Sequence, residues 1–204
     1  ADSWSDLDLY VLAEDDGVLL SLGQGSKWIQ STPQRLLALR DLAERGGGIV
    51  ALHLAIGGKD ACYVQPWVEI LGGLHGGPDR RFLVMDDAEI RVIDRQHPIT
   101  RAVRDLHAPD EFYFRLKFGS AGKVTPLVQV PIEGNLETVA WAYERNDGGR
   151  SFGFSGGDPH TNWEKEAYRR LMAQAVLWTL NLPIPEKGLP VKISPDDLRL
   201  MKDE

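Results

Sequence analysis

Residues 46–53 read Gly46-Gly47-Gly48-Ile49-Val50-Ala51-Leu52-His53. An apolar run without polar alternation suits a strand buried on both faces, as in a parallel sheet covered by helices. The stretch before it carries helix signals. Thr32 can accept the free amide hydrogens of a first turn, and Pro33 lacks one anyway. Leu36, Leu39 and Ala43 then share one helical face, and Gly46 is placed to stop the helix in a left-handed conformation. A helix therefore feeds a buried strand whose carboxyl end delivers His53.

Working outward, Leu7 to Ala13 is a second apolar run suited to a buried strand, and it ends in the acidic Glu14-Asp15-Asp16. A helix is expected over 64–71, before Gly72-Gly73. Residues 88–93 and 124–130 are strand-like, although Pro126 opposes the second. Residues 139–144 and 150–155 flank Asn146-Asp147-Gly148-Gly149, a strong hairpin signal. A last amphipathic helix is expected over 164–180, with Leu171, Ala175 and Trp178 in its apolar stripe. From Pro183 the prolines oppose a continuous helix, which predicts an extended arm over 183–204 with a short helix near 196–201. The chain thus reads as one α/β domain, 1–182, followed by that arm. Its sheet is expected to be mostly parallel and sandwiched by helices, with strands 7–13, 49–52 and 150–155 at or near its centre. The carboxyl ends of such strands line the ligand crevice. Strand 49–52 ends in His53, and strand 150–155 leads to Gly156-Gly157-Asp158-Pro159-His160.

Composition narrows the function classes. The 204 residues can bury one substantial core. Lys and Arg number 23 against 30 Asp and Glu, and the formal charge of −7 argues against nucleic acid or an anionic membrane as partner. No apolar stretch approaches the ~18 residues of a membrane span. Cys62 is the single cysteine, so no internal disulfide framework exists and the compartment stays open. Residence in the cytoplasm and export with signal removal both fit.

Several ordered motifs resemble the ThuA-like (trehalose-utilisation) family of the class I glutamine amidotransferase-like superfamily. They are the glycine-led strand ending in His53, His97-Pro98-Ile99-Thr100, Asp110-Glu111-Phe112-Tyr113, Thr138-Val139-Ala140-Trp141, Gly149-Arg150-Ser151-Phe152-Gly153-Phe154 and Asn162-Trp163. The resemblance runs from about Leu7 to Pro185. It implies a flavodoxin-like sheet and a sugar or sugar-derived substrate, a keto-sugar among the options. Two departures stand out. Asp158 occupies a position where such proteins often carry histidine, and the chain is expected to start at the family's second strand, without the first strand and helix. Where amidotransferases hold a nucleophilic cysteine this chain has His53. Imidazole cannot form a thioester, so true glutamine amidotransferase chemistry is disfavoured.

His53, His160 and Glu111 are accordingly the candidate catalytic residues, with Tyr113, Asp158 and Trp163 as candidate substrate contacts. Adjacent Asp110 and Glu111 in an extended segment point to opposite faces, and Tyr113 shares the face of Glu111. His53 and His160 are expected to face one pocket, with Glu111 at its rim. Imidazole titrates near neutrality and also binds zinc, so a divalent metal is one option for the site. His97 precedes a proline and is assigned to a turn. His75 and His107 stand in polar surroundings and are assigned to solvent, Cys62 to packing, and Gln24-Gly25 to an incomplete dinucleotide fingerprint. Three functions fit: a hydrolase or lyase of sugar derivatives, a carbohydrate-binding domain without turnover, and an interaction module. Self-association is compatible with each.

Overall fold

The computed structural model describes residues 16–198, so the strand expected at 7–13 lies outside the described residues. Strand β1 (Gly17–Leu20) leads to helix α1 (Gly25–Gln30), helix α2 (Pro33–Glu44) and strand β2 (Gly48–Leu52). A 3-10 turn at 53–56 and strand β3 (Gly57–Gly58) precede helix α3 (Val64–Leu71) and strand β4 (Gly73–Gly76). Strands β5 (Arg81–Val92), β6 (Leu106–Phe114), β7 (Lys117–Phe118), β8 (Lys123–Ile132), β9 (Asn135–Glu144) and β10 (Arg150–Phe154) follow. Helix α4 (Glu166–Thr179) comes last.

The main sheet has the order β1-β2-β10-β9-β8-β5-β6. Strands β1, β2 and β10 are mutually parallel, as their apolar runs predict. The remaining four pairings are antiparallel, so the sheet is mixed where a mostly parallel one was expected. The cause is local. Short connections join β8 to β9 and β9 to β10, and short connections can only reverse the chain, whereas parallel neighbours need a long crossover. At the β8–β9 corner Glu133 and Gly134 both take positive φ, 50° and 80°, as the tightest hairpin turns demand. Pro126 is tolerated because a register shift falls between it and Val128.

Alternation along the central strands divides the core in two. Ile49 and Ala51 of β2 face α2 and α3, where Leu39, Leu42, Trp67 and Leu71 are fully buried. Val50 and Leu52 face α4 through Leu171, Met172, Ala175 and Trp178. Helices thus cover both faces of the parallel part, and each buried side chain of this size contributes about 2 kcal/mol. Gly153 on β10 lets the Trp141 ring cross the strand, since a Cβ there would lie 2.1 Å from it. Helix α2 stops at Gly46, whose φ is +86°. At its start, however, the Thr32 hydroxyl caps nothing and has no partner, while the Thr32 carbonyl takes the amides of Arg35 and Leu36.

After α4, residues 183–194 form neither helix nor strand, and a 3-10 turn covers Pro195–Leu198. Side chains of α4 hold this stretch by its backbone. Arg169 donates to the Val191 carbonyl, Arg170 to that of Leu189, and the Gln174 amide oxygen accepts from Leu189 N–H. A small second sheet, β3-β4-β7, lies beside the main one and carries His75.

Candidate active site

His53 follows β2 directly with φ +52°, a left-handed conformation that costs an L-residue about 1–2 kcal/mol. The turn swings its imidazole away from the line of the strand. Helix α1 presses on the segment beyond it. A Cβ at Gly25 would lie 2.1 Å from the Ala55 carbonyl oxygen, and one at Gly58 would lie 1.7 Å from Ser26 Oγ. Close packing, and no dinucleotide fingerprint, accounts for the glycine at 25.

The His53 ring is mostly buried. Its Nε2 lies 3.3 Å from the Tyr113 hydroxyl and 3.4 Å from Asp158 Oδ1. Its Nδ1 is buried without a partner. The tautomer that wastes least carries the proton on Nε2, shared between the Tyr113 oxygen and the Asp158 carboxylate. Burial, then a hydrogen bond to the Glu111 carboxylate, then the charges of Glu111 and Asp158 push the Tyr113 hydroxyl well above the ordinary phenol range. Tyr113 therefore stays protonated at neutral pH, with the Glu111 carboxylate near it. A chain of polar groups, His53 to Tyr113 to Glu111, results.

Tyr113 also forms one wall of a cleft of about 340 Å³. Glu111, Phe82, His75, Gly57, Gly58, Gln24, Lys59 and Arg80 share in the lining. A larger cavity elsewhere, near Arg170, holds none of these groups. The alternation of β6 explains the arrangement. Glu111 and Tyr113 turn to the cleft, whereas Asp110 and Phe112 turn into the opposite core. Asp110 is 1% exposed and accepts from the backbone amides of Glu111, Gly157 and Asp158 and from Asn162 and Tyr168. Those bonds fix the loop that brings Asp158 to His53.

Of the candidates Glu111 and Tyr113 line this cleft, His53 adjoins it through Tyr113 and Asp158 through His53, and the other two join neither group. His160 is exposed at the start of the 3-10 turn His160–Glu164, because that turn buries Asn162 against the Pro109 carbonyl and Asp110. Among the described residues no hydrogen bond, ion pair or ring contact joins His160 to His53. Trp163 packs edge-on against Tyr168 at 6.0 Å and lines a separate apolar groove with Met172 and Val176. Cys62 is exposed, and so is His107, which faces Asp87 at 3.2 Å. His97 fixes its turn, its Nδ1 accepting from Ile99 N–H at 3.2 Å. Among the described residues no three His, Cys, Asp or Glu side chains assemble a ligand set, so no step is routed through zinc.

His75 corrects an expectation of solvent. It is 9% exposed and stacks on Tyr113 with ring centroids 4.5 Å apart. The run Gly72-Gly73-Leu74-His75-Gly76-Gly77 was the available signal, since paired glycines around a histidine mark close backbone approach. Burial lowers its pKa from 6.5 to about 4, a backbone hydrogen bond at Arg81 opposes the shift, and the Arg80 charge adds to it. His75 is thus a neutral wall of the cleft at pH 7. Between pH 6.5 and 4 the unfolded chain binds a proton there that the native state refuses. Stability from this group is therefore full above 6.5 and lost as pH falls toward 4. After allowance for partial access to water the loss is about 2 kcal/mol. Urea unfolding of wild type and His75→Gln at neutral and mildly acidic pH should show that extra loss in wild type alone. Parallel pH profiles would refute it.

Comparisons with known proteins agree with the fold. A family model described as ThuA, trehalose utilisation, matches residues 4–179. A ThuA-like protein of Bacteroides uniformis superposes with a TM-score of 0.65 at 16% identity, covering 88% of this chain and 75% of that one. A ThuA-like protein of Parabacteroides merdae gives 0.59 at 15% identity, over 91% and 75%. A cytoplasmic protein of Salmonella typhimurium gives 0.60 at 14%, over 84% and 74%. No functionally curated protein matches. With the motifs in order, a flavodoxin-like core of the class I glutamine amidotransferase type, and a family match over most of its length, the chain belongs to the ThuA (trehalose utilisation) family.

Proposed function

We propose that this cleft binds a sugar or sugar-derived compound and moves protons on it, with His53 and Glu111 at the two ends of a relay through Tyr113. The observation that carries the reading is the Tyr113 hydroxyl. It lies 3.3 Å from His53 Nε2 and shares with the Glu111 carboxylate the lining of a cleft of about 340 Å³. That volume suits a mono- or disaccharide unit. Aromatic faces from Tyr113 and Phe82 beside polar Gln24, Lys59 and Glu111 match a ring with apolar faces and a hydroxyl edge. The family description, trehalose utilisation, points to the same substrate class. For a keto-sugar, Glu111 would take the proton beside the carbonyl while Tyr113 donates to the developing oxyanion and His53 holds the Tyr113 oxygen in place. Asp158, 3.4 Å from His53 Nε2, would hold the ring with its Nε2 proton between itself and Tyr113.

The test is a panel of mono- and disaccharides and their keto derivatives, followed by thermal shift and by proton NMR in deuterated buffer. Wild type is expected to bind one member and exchange or eliminate a carbon-bound proton. His53→Ala and Tyr113→Phe should slow that step by about 100-fold or more with affinity little changed. Full turnover by folded His53→Ala would end the catalytic reading. Binding without turnover or exchange in wild type would make the domain a carbohydrate-binding module.

A further inference from the structure

A cavity of about 640 Å³ shares no lining residue with the cleft walled by Tyr113. It lies between the first turns of α4, the 95–104 loop and the arm after α4. Four cationic side chains line it, Arg95, Arg104, Arg170 and Lys187, against the single carboxylate of Glu166. Such convergence stands out on a chain whose formal charge is −7.

Two of the four cations are already engaged. Arg95 pairs with Asp105 at 2.7 Å. Arg170 pairs with Glu166, and it also donates to the carbonyls of Ala102 and Leu189. Among the described residues Arg104 and Lys187 have no ion-pair partner. The balance is a surplus of two positive charges facing one cavity. Its walls are fixed by the backbone. Arg101 donates to the Ile184 carbonyl at 2.8 Å, and Gly188, at φ +77°, lies so close to Arg101 and Ala102 that a Cβ would come within 2.9 Å of both. Lys187 and Arg104 both line the cavity.

We infer that this cavity is a binding site for a dianionic phosphate group, separate from the cleft walled by Tyr113. Arg104 and Lys187 would supply the uncompensated charge, and Arg170, 15% exposed, would hold the cavity's two walls together through its carbonyl bonds. A guanidinium and an ammonium suit a phosphate in complementary ways, the first by paired donors and the second as a compact charge. The shared chemistry is the phosphate, free or as a monoester, and the ligand would tie the arm to the domain.

The test is isothermal titration of the full chain with inorganic phosphate, glucose 6-phosphate and, as the uncharged control, glucose. The same titrations follow on the Arg104→Ala/Lys187→Ala variant. Both side chains are exposed, so the variant should fold and retain the wild-type Tm without ligand. Saturable binding of the two phosphates is expected for wild type, at least about 10-fold weaker in the double variant. Tighter binding of the ester than of the inorganic ion would identify a phosphorylated metabolite as the source, and equal binding would identify phosphate itself. Absence of saturable heat with either anion, or undiminished affinity in the variant, would overturn the site.

Discussion

Asp110→Ala is expected to destabilise the protein by about 3–5 kcal/mol, because it strips one buried carboxylate from five donors at once. The amides of Glu111, Gly157 and Asp158, at 2.9, 3.0 and 3.2 Å, lose their acceptor, as do Asn162 Nδ2 at 3.2 Å and the Tyr168 hydroxyl at 2.8 Å. Burial pushes the Asp110 carboxyl up, and the Tyr168 and backbone donors pull it back. Asp110→Asn keeps the shape but turns an NH₂ toward some of those donors, so it should fall between wild type and alanine. Urea unfolding gives the measure, and a loss below about 1 kcal/mol would refute the account. The loop that positions Asp158 beside His53 should loosen as well, so ligand binding at the cleft is expected to weaken in this variant even where it is folded.

Arg145→Ala should cost a comparable 3–4 kcal/mol by a different route and leave the cleft alone. Its side chain is 3% exposed and donates to Asp147, to Ser151 Oγ at 2.6 Å, and to the carbonyls of Ala43, Gly47 and Arg150. One planar fork thus joins the β9–β10 turn to the end of α2 and the start of β2. A lysine has one nitrogen for five acceptors and should recover less than half of the loss. Gly47 lies at the end of β2 opposite His53. Below the unfolding transition, the variant should therefore bind cleft ligands as wild type does. A fall in cleft affinity matching that of Asp110→Ala would show that the two ends of the strand are coupled.

The two residues also show what the sequence could disclose. Strands β2 and β10, helices α2 and α4, and the 146–149 turn announce themselves through local pattern, and with them the position of His53. The alternation that sends Glu111 and Tyr113 to one side of β6 and Asp110 to the other was likewise readable. Strand β6 itself was not, since His107, Pro109, Asp110 and Glu111 give Leu106–Phe114 the composition of a loop. Its strand character comes from pairing with β5, and Asp110 becomes buried only because Gly157, Asn162 and Tyr168 arrive from about 50 residues away with matching donors. His75 escaped for a related reason. Its burial depends on Tyr113 stacking over it, which neither sequence neighbourhood records. The pairing of His53 with His160 followed from similar strand ends; the side chain of that loop found against His53 is Asp158, at 3.4 Å.

The mixed sheet also has a consequence in time. Hairpins β8–β9 and β9–β10 close over a few residues, whereas the ladder between β2 and β10 joins Ile49 to Ser151, about a hundred residues apart. Chain-closure entropy rises with the length of the loop closed, so that ladder is the most costly pairing of the main sheet to form. Glu111 and Tyr113 ride on the cheap antiparallel part, while His53 sits at the end of the expensive ladder. A chain caught before this last closure would hold half of the relay correctly placed with nothing to pass a proton to.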